Sequence, residues 1–433
     1  MRINRFLWNS LSESEKEKIF SRSQTDIREV LPAVQKIIDE VRCSGDSALL
    51  RFSQQWDHVD LGSQPLRVQA EEFENASSLL SKELKQALDF SIENVRRFHE
   101  RQKPHGIEPF EISPGIFAGE KVTPIESLGI YVPRGRGSFP SMLYMTAVPA
   151  LVAGVERICV VTPPAADGSV DPACLYAAAK CGVSEVYRVG GAQAIAALAY
   201  GTESIAPVVK LTGPGSRYVT AAKQLLYGVV DVGLPAGPSE SILLADETAD
   251  PFTAALDLLT EAEHGSDSSA LLITPSAELA AAVAAELPPL IEKLPPQRKE
   301  FVSAVLSGYG GIIQTETMDE AVSIANRLAT EHLKIVAADS FAVEAKIRNA
   351  GEIIIGEQTP FSAANYSIGP NAVLPTGGSA KTFSGVSVRD FVKYSSIIYT
   401  NETGFSALKN IVPVIAEYEG FAAHANAFHF RRK

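Results

Sequence analysis

Apolar residues recur along the chain at helical spacing in some stretches and in short β-branched runs in others. Up to about residue 105 the spacing is mostly helical. It predicts one helix over residues 27–45, opened by Asp26 and stopped by Gly45, and a second over residues 81–103. Prolines at positions 104, 109 and 114 then interrupt the pattern, so we expect a boundary near residues 105–125.

From about residue 127 short apolar strands and amphipathic helices alternate. Typical strands are SLGIYV (127–132), RICVVT (157–162) and SESILLAD (239–246). Asp250 and Pro251 are expected to cap and begin the helix that follows the last of these. Such alternation favours an α/β protein with parallel sheets covered by helices on both faces. Residues after about 380 are expected to form a helical appendage.

Composition excludes several classes of protein. The 433 residues are 45% hydrophobic and 21% charged, which suits a globular protein with room for two or more domains. A formal net charge of −12 argues against a nucleic-acid partner, since phosphates require a basic face. We also expect no membrane partner, because no apolar run approaches about 20 residues. The start lacks the apolar run of a secretory signal, and no CxxC pair occurs, so we expect a cytoplasmic protein.

Three short motifs carry candidate chemistry. Glu261 and His264 are three positions apart near the end of a predicted helix, so both side chains share one face and could hold a metal ion. The alternative is a surface carboxylate and a histidine that complements the helix dipole. Glu331 and His332 lie between a helix and a strand, where the imidazole could act as a base and the carboxylate could activate water. The alternative is a charged loop.

His424 lies in a small, apolar stretch of the predicted tail, five residues after Glu419. Two glycine turns, Gly-Gly at 190–191 and Gly-Pro-Gly at 213–215, each follow an apolar strand and precede a helix. This arrangement suits a pyrophosphate at a helix N-terminus, although tight turns also need glycine for steric reasons. Ser239, in the turn PAGPSE, could present a hydrogen-bond donor or belong to a rigid connector.

Together these segments resemble the histidinol dehydrogenase family from about residue 25 to residue 430. The segments that carry the resemblance occur in this order: IYVPRGRGSFPS, VGGAQAIAALAYGTES, TGPGSRYVTAAK, LPAGPSE, AEHGSDS, TEHL, YSIGPNAVLPTGG and AEYEGFAAHANA.

The resemblance implies two incomplete Rossmann-like domains with helical appendages at both ends. The first would comprise residues 25–125 and 237–378 and carry the catalytic and metal residues, and the second would comprise residues 126–236 and bind NAD. Residues 1–24 would form a helical segment. Residues 379–433 would form a tail exchanged in a homodimer, so that it reaches the partner's active site.

The resemblance further implies a role in histidine biosynthesis, in which L-histidinol is oxidised through the aldehyde to L-histidine with NAD and zinc. Glu331 and His332 match the catalytic pair. The matching cofactor contacts are Tyr131, Gln193 and Ser216. The matching substrate contacts are Ser239, Glu261, His264, Asn365, Glu419 and His424, and the metal ligands among them are Glu261, His264, Asn365 and His424.

This sequence departs from the family pattern at several of these positions. Glu261 replaces a glutamine and Asn365 replaces an aspartate, so the carboxylate changes place while the ligand charge stays the same. Ser216 replaces an asparagine. Ala372 replaces a histidine that contacts the substrate, and Arg134 replaces a glycine. The changes at Glu261 and Asn365 alter the set of ligands that the resemblance implies for zinc.

Two alternatives to histidinol oxidation follow from the same positions. Arg134 and Arg136, if they face the cleft beside Ala372, would favour a different and anionic small alcohol. The altered ligand set would also suit a metabolite-binding protein without catalytic activity, although such a protein has no need for Glu331 and His332.

Overall fold

A computed structural model describes residues 2–21, 27–62, 64–135 and 137–431. Asp26 and Arg136 lie outside the described residues, so their expected roles remain predictions. No helix of these residues combines the length and the apolar character that crossing a bilayer requires.

The described strands form a six-stranded and a four-stranded parallel sheet and a smaller antiparallel one. The strands are β1 (Arg5–Leu7), β2 (Ile107–Ser113), β3 (Ile116–Pro124), β4 (Ser127–Tyr131), β5 (Arg157–Val161), β6 (Glu185–Tyr187), β7 (Lys210–Thr212), β8 (Glu240–Ala245), β9 (Ser269–Thr274), β10 (Gly311–Gln314), β11 (His332–Val336), β12 (Glu352–Ile355) and β13 (Val392–Thr400).

Helices cover the parallel sheets, and short ones complete the chain. The α-helices are α1 (Glu13–Ser21), α2 (Leu31–Phe52), α3 (Ala70–Ser78), α4 (Lys82–Gln102), α5 (Pro140–Ala153), α6 (Pro172–Lys180), α7 (Gly191–Tyr200), α8 (Arg217–Leu226), α9 (Pro251–Ala262), α10 (Ala277–Ile291), α11 (Pro296–Ser307), α12 (Met318–Leu328), α13 (Ser340–Glu344), α14 (Phe361–Tyr366), α15 (Glu402–Leu408), α16 (Val412–Tyr418) and α17 (Ala422–His429).

The sheet orders confirm the predicted α/β class. The six-stranded sheet runs β1-β10-β9-β8-β11-β12, and the four-stranded sheet runs β6-β5-β4-β7. Every neighbouring pair in both sheets is parallel. Central strands such as β8 and β9 are buried along their whole length, as expected for strands with helices on both faces. Asp250 caps α9 by accepting a hydrogen bond from the backbone N–H of Thr253, as predicted.

The N-terminal helices pack on the four-stranded sheet. Apolar side chains of α2 share one core with those of α7 and α8, and side chains of α4 share another with those of α5 and α6. Residues 5–7 instead add strand β1 to the edge of the six-stranded sheet. The packing of residues 31–102 thus differs from the expected grouping of residues 25–125 with the catalytic unit, and the division into two Rossmann-like units stays a prediction.

One local expectation is wrong, and the structure adds detail at two other places. Residues 392–400 are predicted to be helical but form strand β13, which is rich in β-branched and aromatic residues and pairs antiparallel with β3. Residues 107–124, near which a boundary is expected, form the β2–β3 hairpin. Gly45 has non-helical backbone angles and ends the first helical segment of α2, as predicted. It adopts φ of 52° and kinks α2, which continues to Phe52.

Candidate active site

The amino ends of three neighbouring strands bring acidic side chains and a histidine together. Glu240 opens β8, His332 opens β11 and Glu352 opens β12. Because these strands are parallel and adjacent, their first residues lie at the same edge of the six-stranded sheet. Helix α9 follows β8 and returns to this edge, where its last turn carries Glu261. Glu240, Glu261, His332 and Glu352 together form the amino-edge cluster.

His332 is the centre of the amino-edge cluster. Its side chain is only 3% exposed, and Nδ1 lies 2.5 Å from Oε1 of Glu352. Nε2 lies 3.7 Å from Oε1 of Glu331. Burial alone would lower the pKa of His332, but the carboxylates of Glu261, Glu331 and Glu352 outweigh it and raise that pKa to about 10. The imidazole therefore lies in a strongly negative environment.

Glu331 immediately precedes β11 and is buried. Its Oε2 accepts a hydrogen bond from the backbone N–H of Glu240 at 3.0 Å. Burial raises the pKa of Glu331 to about 8, with Glu261 and Glu240 adding to the effect of burial and His332 opposing it. A carboxyl group with such a pKa can exchange a proton near neutral pH, as a general acid or base must.

Glu261, His264 and Asn365 lie together beside His332. Asn365 donates from Nδ2 to Oε1 of Glu261 at 2.6 Å, and Nε2 of His264 lies 3.5 Å from Oε2 of Glu261. Ser239 Oγ and His264 Nδ1 are hydrogen bonded at 3.1 Å. Burial opposes ionisation of Glu261, yet His264, His332 and Asn365 outweigh it and lower the pKa of that carboxyl group.

The donor set suits a divalent metal ion. Oε2 of Glu261 is buried and, among the described residues, accepts no hydrogen bond, while an imidazole nitrogen lies 3.5 Å away. A carboxylate oxygen beside a histidine nitrogen is the pair of ligand types that zinc takes from proteins. Asn365 supplies only a weaker amide oxygen, and it now donates to Glu261 through its nitrogen.

Glu419 and His424 stand apart from this cluster within one chain. Helices α16 and α17, which carry them, are largely exposed and pack on one another, whereas the preceding helix α15 packs against β3 and β13. His424 lies against the ring of Phe421, with centroids 5.2 Å apart. Within the described ranges no three His, Cys, Asp or Glu side chains form a metal-binding group, so one chain does not unite His424 with Glu261 and His264.

The expected cofactor contacts gather at the carboxyl edge of the four-stranded sheet. Tyr131 ends β4, Gln193 lies in the first turn of α7, and Ser216 is the N-cap residue of α8. The hydroxyl oxygen of Tyr131 accepts a hydrogen bond from the backbone N–H of Gly191 at 3.2 Å. Burial raises the pKa of Tyr131 to about 12, so the hydroxyl keeps its proton.

This edge fits a dinucleotide. Helices α7 and α8 both begin here, so their first backbone N–H groups point out of the sheet toward a would-be phosphate. Oε1 of Gln193 is buried and accepts no hydrogen bond from the part of the chain that the structure describes. Gly213 has φ of 111°, and a Cβ there would lie 2.1 Å from the carbonyl oxygen of Tyr131. The glycine thus preserves a close backbone approach.

The sequence did not single out two members of the amino-edge cluster. Glu352 begins an apolar strand after a glycine, with no motif to mark it, and only the strand register places it opposite His332. Glu240 is marked in the sequence only by its place in the turn PAGPSE. It accepts a hydrogen bond from the backbone N–H of Gly377 at 3.1 Å. Both glutamates are the first residues of apolar strands, as His332 is. This shared position at the start of a strand is the sequence signal that could identify them.

Arg134 and Ala372, the two positions that could affect the choice of substrate, lie in different surroundings. Arg134 is exposed and lies close enough to Asp167 to help lower the pKa of that carboxyl group, after the larger effect of the Ser169 hydrogen bonds. Ala372 is half-buried and packs against the apolar core beneath α5. A methyl group therefore packs on this core at the position where the resemblance implies a histidine.

Comparison with known proteins agrees with this geometry. The family model described as Histidinol dehydrogenase matches residues 20–432. A histidinol dehydrogenase of Synechocystis sp. is 49% identical over 97% of this chain and 97% of its own, and a histidinol dehydrogenase homolog of Rhizobium meliloti is 48% identical over 98% and 93%. The crystal structure of histidinol dehydrogenase from Elizabethkingia anophelis is 32% identical, covers 99% of this chain and 97% of its own, and gives a TM-score of 0.94. With matches that extend over nearly its whole length, the chain belongs to the histidinol dehydrogenase family.

Proposed function

We propose that this protein is an NAD-dependent dehydrogenase that oxidises a primary alcohol through the aldehyde to the carboxylic acid, with L-histidinol as its substrate. The observation that carries the proposal is the buried juxtaposition of His332, Glu331 and Glu261 at one strand edge. The names of the Synechocystis and Rhizobium relatives support the substrate.

His332 and Glu331 divide the proton transfers between them. In the first oxidation the unprotonated form of His332 accepts the hydroxyl proton as the substrate carbon loses hydride, which leaves an aldehyde. A metal ion held by Glu261 would favour this form, because it would offset part of the negative charge that raises the pKa of His332. In the second, Glu331 takes a proton from water as that water adds to the aldehyde, and His332 accepts the hydroxyl proton of the hydrate as hydride leaves again. His332 releases its first proton to solvent before it accepts the second. Each oxidation converts one NAD to NADH; the first releases one proton and the second two, so the alcohol, one water and two NAD give the carboxylate, two NADH and three protons.

Two groups complete the chemistry. Glu261 and His264, with Asn365 and His424, would hold zinc, which when bound polarises the substrate oxygen and orients the substrate. Tyr131, Gln193 and Ser216 would hold NAD, which when bound accepts the hydride at its nicotinamide ring. Ser239, hydrogen bonded to His264, and Glu419 would contact the polar groups of the substrate.

The test is to incubate purified protein with NAD and L-histidinol, with and without added zinc, and to follow NADH by absorbance. We expect two NADH per histidinol consumed. Glu331→Gln should release about one NADH and accumulate aldehyde, because the water-activating carboxylate is lost. Absence of NADH with histidinol and with every alcohol of a substrate panel would refute dehydrogenase activity and favour a binding protein.

A second candidate is the oxidation of a different small alcohol, and the position of Ala372 favours it. A substrate imidazole that meets a methyl group instead of a histidine forfeits about 1–3 kcal/mol. Turnover of another alcohol, with none of histidinol, would establish this candidate. Ala372→His should then raise kcat/KM for histidinol by about tenfold or more, whereas no change would show that this position does not select the substrate.

We further propose a homodimer in which the tail of one chain completes the site of the other. Exposed apolar side chains on the tail helices support it, and Tyr418 is 93% exposed. The other large ones are Ile411, Val414, Ile415 and Phe421. Such a patch is costly in water unless a partner covers it. Covering it with a second copy would also bring Glu419 and His424 of one subunit to the other. Four free thiols are consistent with a cytoplasmic enzyme.

Subunit mixing tests this exchange. His332→Ala and His424→Ala chains should each be inactive alone. After mixed refolding, a heterodimer with exchanged tails contains one intact site, so about a quarter of wild-type activity per total protein should return, since half of the dimers are mixed and each has one working site of two. No recovery in dimers shown to be mixed would refute the exchange.

A further inference from the structure

Strand register places Glu352 against the catalytic histidine. In the parallel pairing of β11 with β12, His332 is the partner of Glu352, so both side chains leave the sheet on the same face. Oε1 of Glu352 lies 2.5 Å from Nδ1 of His332, and the Glu352 side chain is only 11% exposed. A contact this short between a carboxylate and a ring nitrogen is a charge-assisted hydrogen bond.

The contact determines which ring nitrogen can act as a base. Because an ionised carboxylate only accepts hydrogen bonds, Nδ1 of His332 carries the proton that is donated to Glu352. In the neutral imidazole Nε2 is then the acceptor. That nitrogen is directed toward Glu331, at 3.7 Å, where the substrate hydroxyl would have to lie.

Packing restricts the ring in this orientation. The ring of Phe361 meets His332 edge to face, with centroids 6.2 Å apart, and His332 is buried. Neither of the other two carboxylates beside it takes the place of Glu352. Glu331 accepts a hydrogen bond from the backbone of Glu240 and faces Nε2. Glu261 accepts a hydrogen bond from Asn365 and faces His264. Glu352 is therefore the group that holds Nδ1.

We propose that Glu352 is a positioning residue that fixes the Nδ1–H tautomer of His332 and stabilises the imidazolium formed in each oxidation. The inference rests on the proposed dehydrogenase function. In each step the hydroxyl proton passes to Nε2 while hydride passes to NAD, and the resulting positive ring lies beside the negative Glu352. Glu352 itself takes no proton, and the imidazolium later releases its Nε2 proton to solvent.

The test compares wild type with Glu352→Gln, Glu352→Ala and a matched control, Glu185→Gln. Glu185 is also a partly buried strand glutamate, paired with Arg157 at 3.1 Å in the other parallel sheet. We expect Glu352→Gln to lower kcat by about 10- to 100-fold, the usual effect of losing a group that orients a functional histidine, with little change in KM. Glu185→Gln should retain wild-type kcat. Added formate should restore part of the activity of Glu352→Ala, a recovery that a merely structural role would not produce.

Nuclear magnetic resonance of the protein labelled with ¹⁵N-histidine supplies a readout that does not need turnover. The wild type should show one far-downfield Nδ1 proton, and the Glu352→Gln variant should lose it. Absence of that signal in the wild type would refute the tautomer, even if the enzyme is active. A kcat of Glu352→Gln equal to wild type, or an equal loss in the Glu185→Gln control, would refute the positioning role while leaving the dehydrogenase proposal intact. Wild type without any alcohol oxidation would instead refute the proposed function.

Discussion

The two parallel sheets of this protein carry their functional groups at opposite ends. In the four-stranded sheet Tyr131 and the glycine turn at 213–215 lie at the carboxyl ends of strands, where parallel α/β sheets usually bind ligands. In the six-stranded sheet Glu240, His332 and Glu352 are the first residues of their strands.

Helix direction explains why the two ends suit different chemistry. At the carboxyl edge of the four-stranded sheet α7 and α8 begin, and their N-termini favour the negative charge of a pyrophosphate. At the amino edge of the six-stranded sheet α9 ends, and helix C-termini favour positive charge. A divalent metal or an imidazolium is therefore stabilised at one edge, and an anionic cofactor at the other.

The largest effect is expected from His332→Asn, which tests whether proton transfer occurs only at the amino edge of the six-stranded sheet. His332→Asn should lower kcat by about 10²- to 10⁴-fold, since it removes the base, and should leave the Kd for NAD unchanged. Steady-state kinetics and equilibrium titration with NAD measure the two quantities. A variant that retains full kcat, or that loses NAD affinity to the same extent, would erase the distinction between the edges.

The next effect concerns the buried ion pair that anchors the amino-edge cluster. Nζ of Lys334 lies 2.5 Å from Oδ2 of Asp257, which joins β11 to α9 one turn before Glu261. Lys334→Met leaves a buried carboxylate unpaired and should lower the free energy of unfolding in urea by about 3–5 kcal/mol. The double variant Lys334→Met, Asp257→Leu should recover most of that loss. Equal destabilisation in both variants would show that packing, not charge, holds the strand.

A smaller effect is expected from changes in the backbone at the carboxyl edge of the four-stranded sheet. In Gly213→Ala the added Cβ would meet the backbone of Tyr131, whereas at Gly228, with a similar φ of 93°, a Cβ meets nothing within 4 Å. Both variants bear the strain of a positive φ, roughly 1–3 kcal/mol. Only Gly213→Ala should also weaken NAD binding. Equal losses of NAD affinity would mean that the turn at 213–215 has no particular part in holding the cofactor.

The smallest effect is expected from Tyr131→Phe, which tests whether Tyr131 belongs to the NAD site. Tyr131→Phe removes the acceptor of the Gly191 N–H bond, which should cost about 1 kcal/mol. Because this bond fixes the start of α7, NAD affinity should fall several-fold while kcat at saturating NAD stays near wild type. Calorimetric titration with NAD measures the change. A fall in kcat without a change in affinity would place Tyr131 in the chemistry instead.

Sequence patterns predicted the local structure of the parallel sheets because their signals are local. Buried strands such as β8 are continuous apolar runs, and Asp250 with Pro251 is a helix start that depends on neighbouring residues only. Strand β13 escaped prediction because its side chains are mostly exposed and its pairing partner lies far back in the chain. Three-residue β1 is too short for any periodicity.

The candidate site was predictable in part for the same reason. Glu261 with His264, and Glu331 with His332, are close in sequence and were recognised as pairs. The bond from Asn365 to Glu261 joins residues 104 positions apart, and its direction depends on packing. The pairing of His332 with Glu352 depends on strand register, which the chain between two residues 20 positions apart does not specify.

Strand β1 ties the order of folding to the length of the chain. Residues 5–7 pair with residues 312–314, so the edge of the larger sheet cannot close until about three hundred further residues have been made. Until then β1 has no partner strand, and an unpaired strand invites pairing with other molecules. On the ribosome this protein must therefore spend most of its synthesis with an unfinished sheet, which makes it a natural client for chaperones that shield nascent chains.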